Sequence, residues 1–204
     1  MQKLAIDAAM GCPNRDGKIT HGGCTFCLNE AFSPSYCRTT HSISEQIDAA
    51  VAFHAARRRL GNCYLAYLQS GTNTYAPTER LIKIYTEALS HPQIKGLIIG
   101  TRPDCIDEEK AKLIASYKER CDVWVELGLQ TSDDDTAALI NRGYKSEVFE
   151  RAMWMGEAAD ACGILCDHFG RGCGCSVSVL PLEGTARVPA RRPVGLCHFS
   201  CRFL

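Results

Sequence analysis

The sequence predicts an α/β fold: a parallel sheet rolled into a partial (βα) barrel that is incomplete at its C-terminal end. Three observations carry this reading. Short apolar runs alternate with capped helical segments along residues 1–160. Strand follows helix with short connections, which implies parallel strands joined by right-handed crossovers. The strand candidates are mostly apolar throughout, as expected where both faces of a sheet are covered. Four strands can be counted. A closed eight-stranded barrel takes about 250 residues, and this chain has 204, so an open barrel fits better.

The first strand candidate is Lys3–Ala8. A long loop follows, and a connection of that length without structure of its own points to function. Ser42-Ile43-Ser44-Glu45 reads as a capping box. Ile43, Ile47, Ala50, Val51 and His54 continue at helical spacing, and Arg57–Arg59 with Gly61 form the stop signal. The Arg57–Arg59 run could meet RNA phosphates, though a basic helix C-terminus explains it. Cys63–Leu68 is the second strand, and Thr78 opens a helix to about Leu89. Lys95–Gly100 is the third strand, followed by a helix whose first turn, Asp107-Glu108-Glu109, is acidic. Val123–Leu129 is the fourth. Asp133–Ile140 forms a short helix ended by Arg142-Gly143, and Ser146 caps a last helix to about Asp160.

Composition narrows the function classes. Apolar residues make up 46% and charged residues 23%, the balance of a soluble globular protein. The formal net charge is zero, so no global field favours nucleic acid or an anionic membrane. The N-terminus lacks a basic region followed by a long apolar run, and no stretch is apolar enough to span a bilayer. A cytoplasmic location without membrane association is expected. Thirteen cysteines in a reducing compartment point to metal rather than to disulfides.

The chemistry concentrates where strands end. Behind the first strand lies CPNRDGKITHGGCTFC, with Cys12, Cys24 and Cys27 spaced C-x11-C-x2-C. Behind the second lies Gln69–Thr74, behind the third Thr101–Asp104, and behind the fourth Gln130-Thr131-Ser132. In parallel α/β folds these ends share one rim. Three thiolates can hold three irons of a four-iron cluster and leave the fourth open to a reactive ligand. Structural zinc would want a fourth ligand, for which Cys37 or His21 is available. Spacing alone leaves zinc and iron–sulfur nearly level.

Five segments, CPNRDG, GGCTFC, YLQSGTNTYAP, GTRPDC and VELGLQTSDDDTAALINRGY, occur in order over about residues 1–160. Together they resemble the radical S-adenosylmethionine (radical SAM) superfamily, and within it a bacterial subfamily related to the catalytic subunit of elongator. Phe26 supplies the aromatic residue typical before the last cluster cysteine. The resemblance implies that Cys12, Cys24 and Cys27 hold a [4Fe–4S] cluster whose open iron chelates S-adenosylmethionine. It implies reductive cleavage of that molecule to start a radical reaction, with an electron donor such as flavodoxin or ferredoxin. The elongator likeness hints at RNA modification. The superfamily resemblance also implies that Gln69, Ser70, Gly71 and Thr72 lie near the methionine amino group and Gln130 near the ribose hydroxyls. Gly71 suits a close backbone approach, and the Gln130 amide offers both donor and acceptor.

Glu126 lies inside an apolar strand, where an isolated carboxylate is costly. Arg102, at the end of the neighbouring strand, is the expected ion-pair partner, and both are candidates for contact with the cofactor. Asp104 reads as a turn residue. Cys63 and Cys121 read as small buried residues, Cys37 as an unliganded loop thiol, and Cys105 as a thiol near the site.

Residues 162–204 differ in character, with six of the thirteen cysteines, six glycines, five arginines and no lysine. The family pattern would continue with a fifth strand and a glycine-rich loop, and GILCDHFGRGCGCSVSVLPLEG supplies neither convincingly. The expectation is that residues 161–204 are not native family sequence, as after a frameshift or in a truncated gene model. The rival is a second cluster or zinc on Cys162, Cys166, Cys173 and Cys175. Loss of the later strands would leave the fourth as an exposed edge prone to aggregation. The expected function is a radical SAM enzyme. The alternatives are a zinc-stabilised, non-catalytic binding module and an inactive truncated fragment of such an enzyme.

Overall fold

A computed structural model of the chain describes residues 1–28, 33–37, 41–58, 61, 63–158 and 164–168. Five strands form one parallel sheet in the order β1-β2-β3-β4-β5. They are β1 (Gln2–Ile6), β2 (Tyr64–Leu68), β3 (Ile94–Thr101), β4 (Asp122–Gln130) and β5 (Ile164–His168). The helices are α1 (Ile43–Ala56), α2 (Thr78–Ser90), α3 (Glu108–Ser116), α4 (Asp134–Leu139) and α5 (Ser146–Ala158). Each strand lies beside its sequence neighbour, as in a (βα) barrel cut open.

Local signals act as their chemistry requires. Ser42 and Glu45 form both hydrogen bonds of a capping box at the start of α1. Asp107 caps α3 and Asp133 caps α4, each accepting a backbone N–H three residues on. Ser146 is the first residue of α5 instead of its cap. The Arg57 guanidinium folds back over the Phe53 ring, 3.4 Å from its centroid, and donates to the Phe53 carbonyl. Arg59 lies outside the described residues.

Two expectations need correcting. The strands are not covered alike on both faces. In β4, Val123, Val125, Leu127 and Leu129 are buried, whereas Trp124, Glu126, Gly128 and Gln130 are half-buried. The first set packs with Leu4, Ile6, Leu68, Leu97 and Ile99 against Ile47, Leu81, Tyr85 and Phe149 of the helices. The second set faces the interior of the open barrel, so VWVELGLQ alternates, as a strand with one packed face should.

The second correction concerns the tail. A fifth strand is present: Ile164 pairs with Val125, Leu165 with Glu126 and Cys166 with Leu127. β4 is therefore an interior strand, and the exposed edge expected there does not arise. The remainder of the tail, with Cys162, Cys173 and Cys175, lies outside the described residues.

Candidate active site at the strand ends

The cysteine loop is shaped by short-range hydrogen bonds. Arg15 N–H and Asp16 N–H both donate to the Cys12 carbonyl, at 2.9 and 3.1 Å, and Cys27 N–H donates to the Cys24 carbonyl at 3.0 Å. Asn14 is fully buried beneath the loop. Its amide donates to Cys24 Sγ at 3.4 Å and to the Asn141 carbonyl at 2.6 Å. Asn141 donates in return to the Gly23 carbonyl at 2.7 Å, and Thr25 N–H donates to the Ile140 carbonyl at 3.0 Å. The loop is thereby tied to the end of α4.

The loop after β2 is equally constrained. Gly71 has φ +76°, and a Cβ there would come within 2.3 Å of the Met10 carbonyl oxygen. Only glycine fits that approach. Thr72 N–H donates to the Gly11 carbonyl at 3.1 Å, and the Ser70 hydroxyl meets that of Ser33 at 2.6 Å. Buried Asn73 donates to the Leu68 and Gly100 carbonyls. The loop thus lies along the residues that lead into Cys12.

These elements surround one cavity of about 180 Å³; a second, apolar pocket beside α5 measures about 10 Å³ and is too small for a ligand. Cys12, Cys24 and Cys27 line the larger cavity. So do Gln69, Ser70, Gly71 and Thr72 from the β2 loop, Arg102 from just past the end of β3, and Glu126 and Gln130 from β4. The ten residues expected to hold the cluster and S-adenosylmethionine therefore line one cavity.

The expected pairing of Arg102 with Glu126 is not formed. Arg102 makes a bidentate ion pair with Asp104, Nε to Oδ1 at 2.9 Å and Nη2 to Oδ2 at 2.6 Å. The register explains this: Glu126 pairs with Gly100, so Arg102, just past the end of β3, sits two residues further along the chain. At about 3.3 Å of rise per residue the arginine starts well above the carboxylate. The 3₁₀ turn Pro103–Cys105 carries Asp104 back towards the guanidinium. Glu126 instead accepts a short hydrogen bond from the Tyr67 hydroxyl. Asp104 is more than a turn residue, because it fixes the plane of Arg102.

Sequence reasoning missed Tyr67, Tyr144, Arg142 and Arg15. Tyr67, Tyr144 and Arg15 line the cavity. Arg142 is fully buried, and its guanidinium donates to the carbonyls of Leu129, Thr131 and Tyr144. The Tyr144 ring lies between two cations, with Arg142 at 4.4 Å and Arg102 at 4.9 Å from its centroid. Arg142-Gly143 reads as a helix stop, and that reading conceals a side chain running under the β4 rim. Burial holds the Tyr144 phenol above its ordinary pKa, so it keeps its proton.

The thiols divide by environment. Burial raises the Cys24 pKa, while Arg102 and the Asn14 amide pull it down and Cys27 and Cys12 push it up. Burial pushes Cys105 up to about 12, assisted by Asp104. The buried Cys105 thiol is held protonated beside Asp104, its Sγ 3.7 Å from Asp104 Oδ1. The Cys37 thiol donates to the Ala5 carbonyl at 3.1 Å. Cys63 and Cys121 are half-buried.

The donor set fits a cluster. Among the described residues no three His, Cys, Asp or Glu side chains gather as a single metal ion would need. Three thiols outside any disulfide line one cavity, which suits the separated irons of a four-iron cluster. Neither proposed fourth zinc ligand joins them: Cys37 bonds to β1, and the His21 ring packs at Gly17.

The model of the Radical SAM superfamily matches residues 10–155. Protein YhcC of Escherichia coli (strain K12) is 41% identical over 153 residues, covering 74% of this chain and 48% of that protein. YtqA of Bacillus subtilis (strain 168) is 37% identical over 183 residues, 89% of this chain and 53% of its own. The chain thus spans about half the length of these curated relatives. Among solved structures, coproporphyrinogen III oxidase (HemN) of Escherichia coli, a radical SAM enzyme, superposes with a TM-score of 0.51 at 15% identity. That likeness covers 82% of this chain and 37% of HemN, and shows the fold alone.

Proposed function

Because the chain belongs to the radical SAM superfamily, we propose that its cavity holds a [4Fe–4S] cluster and S-adenosylmethionine and that the protein is a radical enzyme. One observation carries the reading: three thiols and the polar ends of three further strands line a single cavity. When bound, the cluster and S-adenosylmethionine supply one-electron cleavage of a sulfonium, which begins radical chemistry.

The chain's own residues do the positioning. Cys12, Cys24 and Cys27 would ligate three irons, with the Asn14 amide supporting the Cys24 sulfur. Arg102, held in plane by Asp104, presents positive charge suited to the methionine carboxylate. The Gln69–Thr72 loop supplies polar groups for the amino group, and Gln130 meets the ribose. Glu126 and Tyr67 sit on the cavity wall formed by β2 and β4, where a substrate would enter. The electron comes from a flavodoxin- or ferredoxin-type donor. An RNA substrate rests on the elongator likeness alone. Among the described residues no helix is long and apolar enough to cross a membrane.

Anaerobic reconstitution with iron and sulfide tests the proposal. The expected product is a brown protein with about four irons per chain that cleaves S-adenosylmethionine after reduction. Cys24→Ala should lose the iron. A colourless protein that keeps one zinc overturns the reading. A full cluster without cleavage would favour the inactive fragment.

A further inference from the structure

The rim of β4 is built around a single glutamine. Gln130 has φ +58°, a left-handed conformation that glutamine rarely adopts, and it lines the cavity. Its two flanking carbonyls, Leu129 and Thr131, are both held by the buried Arg142 guanidinium. The side chain folds back along its own strand: a Cβ on Gly128 would lie 2.3 Å from Gln130 Nε2. The Tyr144 hydroxyl donates to the Gly128 carbonyl and is 3.3 Å from Gln130 Oε1. Its proton is shared between these two acceptors, a three-centre arrangement.

We propose that Tyr144 is a positioning residue that orients the Gln130 amide for the ligand. With Oε1 turned to the phenol, Nε2 is the end left over Gly128 on the cavity wall. The position therefore offers N–H donors, and it selects an acceptor on the ligand, such as a ribose hydroxyl oxygen. Backbone strain at Gln130 supports the assignment, since such strain persists only where the surroundings over-determine it. Arg142 supplies that determination from below, and the Tyr144 ring, stacked between Arg142 and Arg102, fixes the phenol in place. Arg102 and Gln130 are thus set by one aromatic ring, which couples two sides of the site.

The inference rests on the ligand reading above, so the test separates the two. Equilibrium binding of S-adenosylmethionine is measured on the reconstituted protein, on Tyr144→Phe, on Gln130→Ala and on the double variant. Loss of one oriented hydrogen bond should weaken binding about three- to tenfold in Tyr144→Phe. In the Gln130→Ala background the same change should cost nothing further. Equal losses in both backgrounds overturn the positioning role, because a purely structural tyrosine would behave that way. The Gln130 side-chain amide resonances of the ¹⁵N-labelled protein without ligand give a second readout. They are assigned by their loss in Gln130→Ala and should shift in Tyr144→Phe; unchanged resonances overturn the proposal. If those resonances shift while the unaltered protein binds no S-adenosylmethionine, the ligand reading fails and the orientation of Gln130 by Tyr144 stands.

Discussion

Tyr67 on β2 donates its phenolic hydrogen to the carboxylate of Glu126 on β4, spanning the intervening strand β3. The Lys3 ammonium stands 5.0 Å from the centre of the same ring. The barrel's inner wall therefore carries a polar pair where a strand of apolar neighbours would otherwise isolate a carboxylate.

Removing one member of that pair should cost more than removing both. Tyr67→Phe leaves Glu126 without its donor, at about 1–2 kcal/mol of stability. The Tyr67→Phe/Glu126→Leu double variant should recover part of the loss. Urea unfolding of the three proteins measures this, and equal stability of the two variants would argue against the pair.

Gly71→Ala places a methyl group on the Met10 carbonyl at a backbone position with positive φ. The loop must shift, at about 1–3 kcal/mol. Thermal unfolding should report the loss, and ligand affinity should fall with it because Ser70 and Thr72 move too.

Ser42→Ala removes the cap of α1 and should cost about 1 kcal/mol at neutral pH. The reciprocal bond from Ser42 N–H to Glu45 holds the Glu45 carboxyl below its ordinary pKa. Its contribution is present above the unfolded value of 4.5 and is lost as pH falls through the lower folded value. The Ser42 N–H survives in Ser42→Ala, so the titrating bond is read from Glu45→Gln, which should converge with the parent in stability under acid, as urea titrations at two pH values would show.

Cys37 offers a test at the alkaline end. Burial, then the nearby Asp7 charge, pushes its thiol from 9.0 to about 11. The protonated thiol is the form the fold favours, so its contribution is complete below pH 9 and is lost between about 9 and 11. Cys37→Ala should flatten that part of the stability profile. Iodoacetamide should modify Cys37 more slowly at pH 8 than it modifies a free thiol.

Much of this architecture is written locally. The capping box of α1, the acidic cap of α3 and the strand cores sit within a residue or two of where their patterns place them. The ten candidate ligands converge because parallel strands put all their C-terminal ends on one rim. What escaped was register and reach. The partner of Arg102 depends on which β3 residue lies opposite Glu126, and hydrophobic pattern does not encode that. Arg142 looked like a helix terminator because two of its target carbonyls, at the C-terminal end of β4 and just past it, are ten or more residues away. ILCDH escaped because five residues among cysteines and glycines carry too short a pattern to read as a strand.

The tie between Asn14 and Asn141 spans 127 residues of chain. A ribosome releases the three thiols long before it makes the segment that seats them. Until α4 emerges, Cys24 lacks the carbonyl that anchors its Asn14 neighbour, and the loop has no platform. On the proposed function, a cluster would meet a seated loop only after α4 has been made. A cell short of iron, or a synthesis halted early, would leave three uncovered thiols exposed to oxidation.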